Sequence, residues 1–474
     1  MSTMDELIRV AKPLGESIHI GEGPQITIRN PKGLSDHIET VVRTAVFGEG
    51  RSKSLAQWLI RKLAVESGAF PASIHHFYVA RGGGETPDDF TVPAMNLRAL
   101  PFNAARAVFR SAVSSDACAF IFEIARSEMG YTDQRPAEYV AAILGAALAE
   151  GYSGPIFIQG DHFQVSASRY GKEPESELDA IRSLMKESVA AGFFNIDIDT
   201  STLVDLSKAT IPEQQEVNYT LCAEFAVFAR KLEPEGVTIS LGGEIGEVGG
   251  ENSTEPELRA FMDGFNQEFG KRLSGEPGLS KISIQTGTSH GGVVLPDGSI
   301  AKVSVDFDTL QHLSKVAKEY HMGGAVQHGA STLPENMFSR FADSNAVEVH
   351  LATGFQNILY DHLPEDMLGT IYAYLDANHS NERKEGQTDE QFYYKTRKRA
   401  LGPFKQELWD LPEKKVLEIE RAWEDQFQLL FDSLNVGGTR QIVERFVKPT
   451  GLDFKLASYL GSDAGDEDTS DLAD

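Results

Sequence analysis

Residues 155–166 read PIFIQGDHFQVS: a run of strand-like, mostly apolar residues that ends in Asp161 followed directly by His162. Runs of this kind recur along the chain as FTVPAMNL (90–97), CAFIFEIA (118–125), FNIDIDTS (194–201), VTISLGGE (237–244), KISIQTGTSH (281–290), GGAVQHGA (323–330) and AVEVHLAT (346–353). They alternate with longer stretches of helical periodicity, the pattern of a parallel α/β fold. With PIFIQGDH the runs number eight, as a (β/α)8 TIM barrel requires. Between the third and fourth runs Leu178, Ile181, Leu184, Met185 and Val189 recur at three- and four-residue steps. Between the fifth and sixth, Leu258, Phe261, Met262 and Phe265 do the same, so each stretch predicts a helix with one buried face.

Residues 1–85 lie outside this alternation and form an amino-terminal helical extension, which runs out through ARGGGETPDD (80–89), read as a flexible linker or surface loop into the first barrel strand. The barrel spans 86–440 together with a helical carboxyl-terminal tail that includes KKVLEIERAWEDQFQLLFDSL (414–434). Residues 441–474 end in GSDAGDEDTSDLAD and are expected to be acidic and partly disordered.

The 70 acidic and 44 basic residues leave a formal charge of −26, which repels phosphate backbones and anionic bilayers and excludes nucleic acid and membrane partners. A phosphorylated small molecule stays admissible, because a few local donors and a metal reverse the potential inside one pocket. Cys118 and Cys222 have no metal-type spacing and are expected to be buried thiols of a reducing, cytoplasmic protein. No apolar run reaches the roughly 18–20 residues that span a bilayer, and the amino terminus lacks a signal-peptide core.

Active sites of such barrels form at the carboxyl ends of the strands. Those ends carry Asp161 and His162, Asp197 and Asp199, Glu244, His290, His328 and His350. Three imidazoles that leave one coordination position open are the usual catalytic zinc arrangement. The glycines after His290 (Gly291, Gly292) and after His328 (Gly329) let backbone N–H groups approach an anionic ligand. Gly287-Thr288-Ser289-His290-Gly291 also fits G-x-S-x-G, but GGVVLPDGSIAKVSVD follows it where a hydrolase elbow needs a helix, so the serine is incidental.

Taken in order, GDH (160–162), NIDIDTST (195–202), GGEIGEVGGE (242–251), TSHGG (288–292) and QHGAST (327–332) resemble the class II fructose-bisphosphate aldolases over about residues 90–435. The resemblance implies zinc, or another divalent metal, held by His162, His290 and His328, with Glu244 and Asp199 around the metal or holding it in an alternative location; a monovalent cation is a further expectation. It implies Asp161 as the acid/base at the C4 oxygen, while the family's acid at the donor carbon is either displaced by one residue to Glu251 or absent. Asn96, Gly291, Gly292, Gly329, Ser331, His350, Thr353 and, from YYKTR (393–397), Arg397 are the implied substrate contacts. The family's GG-x-E appears here as Gly249-Gly250-Glu251-Asn252, and its N-x-D-T as His350-Leu351-Ala352-Thr353.

The expected function is therefore reversible aldol cleavage of a phosphorylated ketose, such as fructose 1,6-bisphosphate, to dihydroxyacetone phosphate and an aldehyde, by a homo-oligomer. Two other readings compete with it. One is a metal-dependent epimerase, or an aldolase for an unphosphorylated ketose, which the altered eighth strand favours. The other is a noncatalytic subunit, because FEIARSEMGYTDQRPAEYV (122–140) resembles the companion subunit of tagatose-bisphosphate aldolase.

Overall fold

The computed structural model describes residues 2–21, 25–246, 251–287, 295, 304–452, 454 and 456–459. A small antiparallel hairpin, β1 (Ile18–Ile20) and β2 (Ile26–Ile28), belongs to the extension, as does β3 (Ala69–Ala72). The strands β4 (Val92–Asn96), β5 (Ile121–Ala125), β6 (Gly154–Gln164), β7 (Asn195–Asp199), β8 (Ser240–Glu244), β9 (Lys281–Ile284), β10 (Ala325–Gln327) and β11 (Glu348–Leu351) follow. All pair in parallel in sequence order; β11 returns to β4, so the sheet closes as an eight-stranded barrel. Each strand falls within one of the eight apolar runs, except that β6 begins one residue earlier, at Gly154, and continues two residues past His162.

The helices between the strands carry their own start and stop signals. Pro101–Ser115, Pro136–Glu150 and Pro174–Ala191 begin on proline, whose missing N–H costs nothing in a first turn. Ile211–Leu232 and Glu255–Arg272 begin with capping boxes, Thr210 with Glu213 and Thr254 with Glu257. The helical-face residues predicted from periodicity, Leu178, Ile181, Leu184, Met185 and Val189 and Leu258, Phe261, Met262 and Phe265, are buried. Both cysteines are buried free thiols.

The extension contributes more than helices. β3 pairs with the first four residues of β6, continuing the sheet below β7, and Asn195 at the start of β7 accepts the Ile74 N–H at 2.9 Å. The stretch read as a flexible linker begins inside the helix His75–Gly82. Arg81 there is buried, donates to the carbonyls of Asp88 and Ala346 at 3.1 Å each, and lies over the Phe90 ring, so cation–π and hydrogen bonds tie the segment to the barrel.

In the tail, Glu413–Ser433 packs along Pro101–Ser115, where Arg110 reaches Glu150, Glu420 and Glu424. Beyond residue 440 the chain is still helical at Arg440–Phe446 and Leu456–Tyr459, and the Phe454 ring covers the buried Arg61 of the extension. The stretch GSDAGDEDTSDLAD (461–474), expected to be disordered, lies outside the described residues. Among the described residues no helix is long and apolar enough to cross a membrane.

Candidate active site

The barrel mouth is organised around a bulge in β6. Register with β7 shifts between Gly160 and Phe163, and His162 sits at φ +38°, which a non-glycine residue adopts only when its surroundings hold it there. The bulge brings the adjacent Asp161 and His162 to one side, where a regular strand would send them to opposite faces. Gly160 makes the bend possible: the Phe163 ring lies 2.3 Å from where its Cβ would stand.

Three of the four strand-end histidines meet here. The His162 and His328 rings are 4.3 Å apart between centroids, and His328 and His350 4.1 Å. His162 Nδ1 lies 3.1 Å from Asp199 Oδ2 and 3.3 Å from Glu244 Oε2, with Asp161 Oδ1 3.7 Å from its Nε2. Burial opposes charge on His162, but the carboxylates of Asp161 and Glu244 and the hydrogen bonds to Asp199 and Glu244 overturn it and raise its pKa well above the usual imidazole value. Glu244 is pushed up to about 7 by burial and by Asp199. Asp199 stays low because His162, Ser201 and Gln164 all hydrogen-bond it, against the cost of its burial.

Asp161, His162 and His328 offer ligand atoms within 4.8 Å of one another, and so do His162, Asp199 and Glu244. These nitrogen and oxygen donors suit zinc or a similar divalent ion, so the residues present fit a metal. Asn96 Nδ2 is 3.5 Å from Asp161 Oδ2. Ser331 Oγ accepts the Ala352 N–H at 2.6 Å, beside Thr353, which opens the helix Thr353–His362. Gly329 has φ +69°, a conformation that favours glycine. His290, Gly291 and Gly292 lie outside the described residues.

Two expected residues stand apart. Glu251 is exposed on the segment that leads to Glu255–Arg272. Arg397 is stacked between the rings of Tyr360 and Tyr394 and donates to Asn357 Oδ1 at 2.6 Å, against the helix Thr353–His362.

Beneath the histidines is a layer that the apolar-run reading passed over. Lys281 Nζ, fully buried, reaches Gln159 Oε1 at 2.7 Å, Asp197 Oδ1 at 2.9 Å and Glu348 Oε1 at 2.5 Å. Gln159 also donates to Glu123 Oε2 at 3.0 Å. Lys281 gets to Asp197 across Gly242, where a Cβ would lie 2.3 Å from Asp197 Oδ1. Barrel interiors are ordinarily filled by branched apolar side chains, so ionisable residues at inward positions of CAFIFEIA, KISIQ and AVEVH were the available signal.

The family model described as fructose-bisphosphate aldolase class-II matches residues 86–410. No curated protein matches the chain. Among solved structures, the fructose-bisphosphate aldolase of Campylobacter jejuni is 17% identical, with 78% of this chain and 96% of that one covered at a TM-score of 0.44. The YdjI aldolase of Escherichia coli K12 is 11% identical, with 78% and 99% covered at 0.46. The match over residues 86–410 takes in well over half of the sequence, and the chain belongs to the class II fructose-bisphosphate aldolase family.

Proposed function

We propose that this protein catalyses reversible, metal-dependent aldol cleavage of a phosphorylated ketose. The observation that carries the reading is the convergence of Asp161, His162 and His328 at one mouth, a carboxylate for proton transfer beside donors for a divalent cation. A bound zinc ion supplies Lewis acidity that stabilises the negative charge left on the donor half when the C–C bond opens. Asp161, buried and next to Asn96, takes the proton from the acceptor-side hydroxyl and returns it in the condensation direction. Ser331 and Thr353, together at the start of Thr353–His362, meet the donor's phosphate.

The rim supports an anionic substrate. Arg98, two residues beyond Asn96, bonds Glu128 at 2.6 Å and Gln356 at 3.3 Å. Burial, reinforced by Arg98 and Arg399, pushes the Lys398 ammonium down to about 7, and a phosphate dianion beside it would favour its charged form.

One observation favours the second reading, epimerisation or an unphosphorylated ketose: His350 hydrogen-bonds Asp161 at 3.1 Å, which places a second proton-carrying group in the site. The test is a panel of ketoses, phosphorylated and free, incubated with and without chelator and followed by NMR. Release of a triose phosphate that stops with chelator and returns with zinc is expected. A ketose isomer as sole product supports the second reading, and no conversion of any member sinks both.

A further inference from the structure

We propose that His350 is a positioning residue that fixes the Asp161 carboxylate, and that it is braced through Glu348 by the amino-terminal extension. The proposal rests on the reading of Asp161 as the proton-transferring group. His350 uses both ring nitrogens: Nδ1 is 3.1 Å from Asp161 Oδ1, and Nε2 is 2.6 Å from Glu348 Oε1. Its ring packs on His328, so it has little freedom to turn. Glu348 is held in its own place three times over, by Lys281 at 2.5 Å, by Gln159 at 2.9 Å and, through its other oxygen, by the Tyr78 hydroxyl at 2.5 Å.

Every member of this chain of contacts is buried to 5% exposure or less, so the bonds are not shared with bulk solvent. Tyr78 lies on His75–Gly82, the helix with which the extension covers the amino-terminal end of the barrel. A Cβ on Gly323, just ahead of β10, would stand 3.1 Å from Tyr78 Cβ. The line Tyr78–Glu348–His350–Asp161 therefore runs the length of the barrel interior, from the extension to the mouth. An aspartate turned out at a bulge has two side-chain torsions to settle. The bond from His350 settles them by holding Oδ1 and turning Oδ2 to Asn96, on the side where substrate enters.

Because a proton-transferring group about 1 Å out of place costs on the order of 100-fold in rate, the arrangement predicts a loss in kcat rather than in binding. The full-length protein, as purified, is compared with Tyr78→Phe, His350→Gln and the double variant on whichever ketose phosphate the wild type cleaves. His350→Gln is expected to lower kcat about 100-fold with KM within about twofold. Tyr78→Phe is expected to lower it by about 3- to 10-fold, and the double variant to be no worse than His350→Gln, because both act through one line. In parallel, ¹⁵N-histidine NMR identifies the His350 ring signals by their loss in His350→Gln, and those signals should move in Asp161→Asn and in Tyr78→Phe. A rise in KM alone, effects of the two variants that multiply, or His350 signals unmoved by Asp161→Asn overturns the proposal. A wild type that cleaves nothing refutes the aldolase reading instead, and the Asp161→Asn spectrum then decides by itself whether His350 holds Asp161.

Discussion

The barrel interior and the rim above it gather different charges. Inside, Glu123, Asp161, Asp197, Asp199, Glu244 and Glu348 gather around Lys281 and three histidines, and all six carboxylates are buried. At the rim, Arg98 pairs with Glu128 and Arg399 with Glu382, and burial, reinforced by the two arginines, depresses the Lys398 ammonium. A net charge of −26 describes neither place, because fields in a low-dielectric cleft are set by the nearest few groups. On the proposed function the contrast would let one mouth meet both a metal and a phosphate, the acid interior suiting a cation and Arg98 and Lys398 an anion.

The comparison breaks most sharply at His162. His162→Ala removes the imidazole that Asp161, Asp199 and Glu244 surround. Metal affinity should fall by more than about 100-fold, beyond the usual cost of losing an outer partner, as read by elemental analysis after dialysis. Full retention of metal would mean that His162 is not one of its ligands.

Lys281→Met comes next. It strands Glu348 and Asp197 in the core without their counter-charge and should cost about 3–5 kcal/mol in urea unfolding. A loss below about 1 kcal/mol would show that another group carries that charge.

Glu123→Gln tests whether the interior holds more acid than it can neutralise. Burial and Asp161 raise the Glu123 pKa well above its ordinary 4.5. With the folded value above the unfolded one, the stability Glu123 contributes is complete below pH 4.5 and declines as pH rises toward the folded pKa. The neutral glutamine escapes this decline. Glu123→Gln should therefore gain on the wild type by about 1.4 kcal/mol per pH unit above 4.5, until the folded carboxyl ionises. Parallel stability–pH curves for the two proteins would refute it.

At the rim, Arg98→Ala should raise KM for a phosphorylated ketose about 10-fold, roughly the worth of one charge-assisted hydrogen bond, and leave an unphosphorylated one unchanged. Equal effects on both would remove the rim from phosphate recognition.

The eight strands were legible in the sequence because a buried parallel strand writes itself as a short apolar run. Asp161, His162, His328 and His350 were legible too, since a polar residue that ends such a run lands at the mouth. Glu123, Lys281 and Glu348 were not, because Glu123 and Glu348 sit between apolar neighbours and Lys281 opens its run, so each reads as a tolerated exception. The Asp161–His162 pair was read as the carboxyl end of its strand. In the structure β6 continues to Gln164, and a bulge with φ +38° at His162 brings the pair to one side.

By itself, the sequence determined the strand count, the order of the motifs and which residue types stand at the mouth, because these follow from local periodicity and spacing. Only the tertiary structure decided which charges neutralise one another. Lys281 meets Asp197 across 84 residues of chain and Glu348 across 67, and His350 meets Asp161 across 189. Such pairings exist only once barrel closure has brought distant strands side by side and removed the water that would otherwise screen each charge separately.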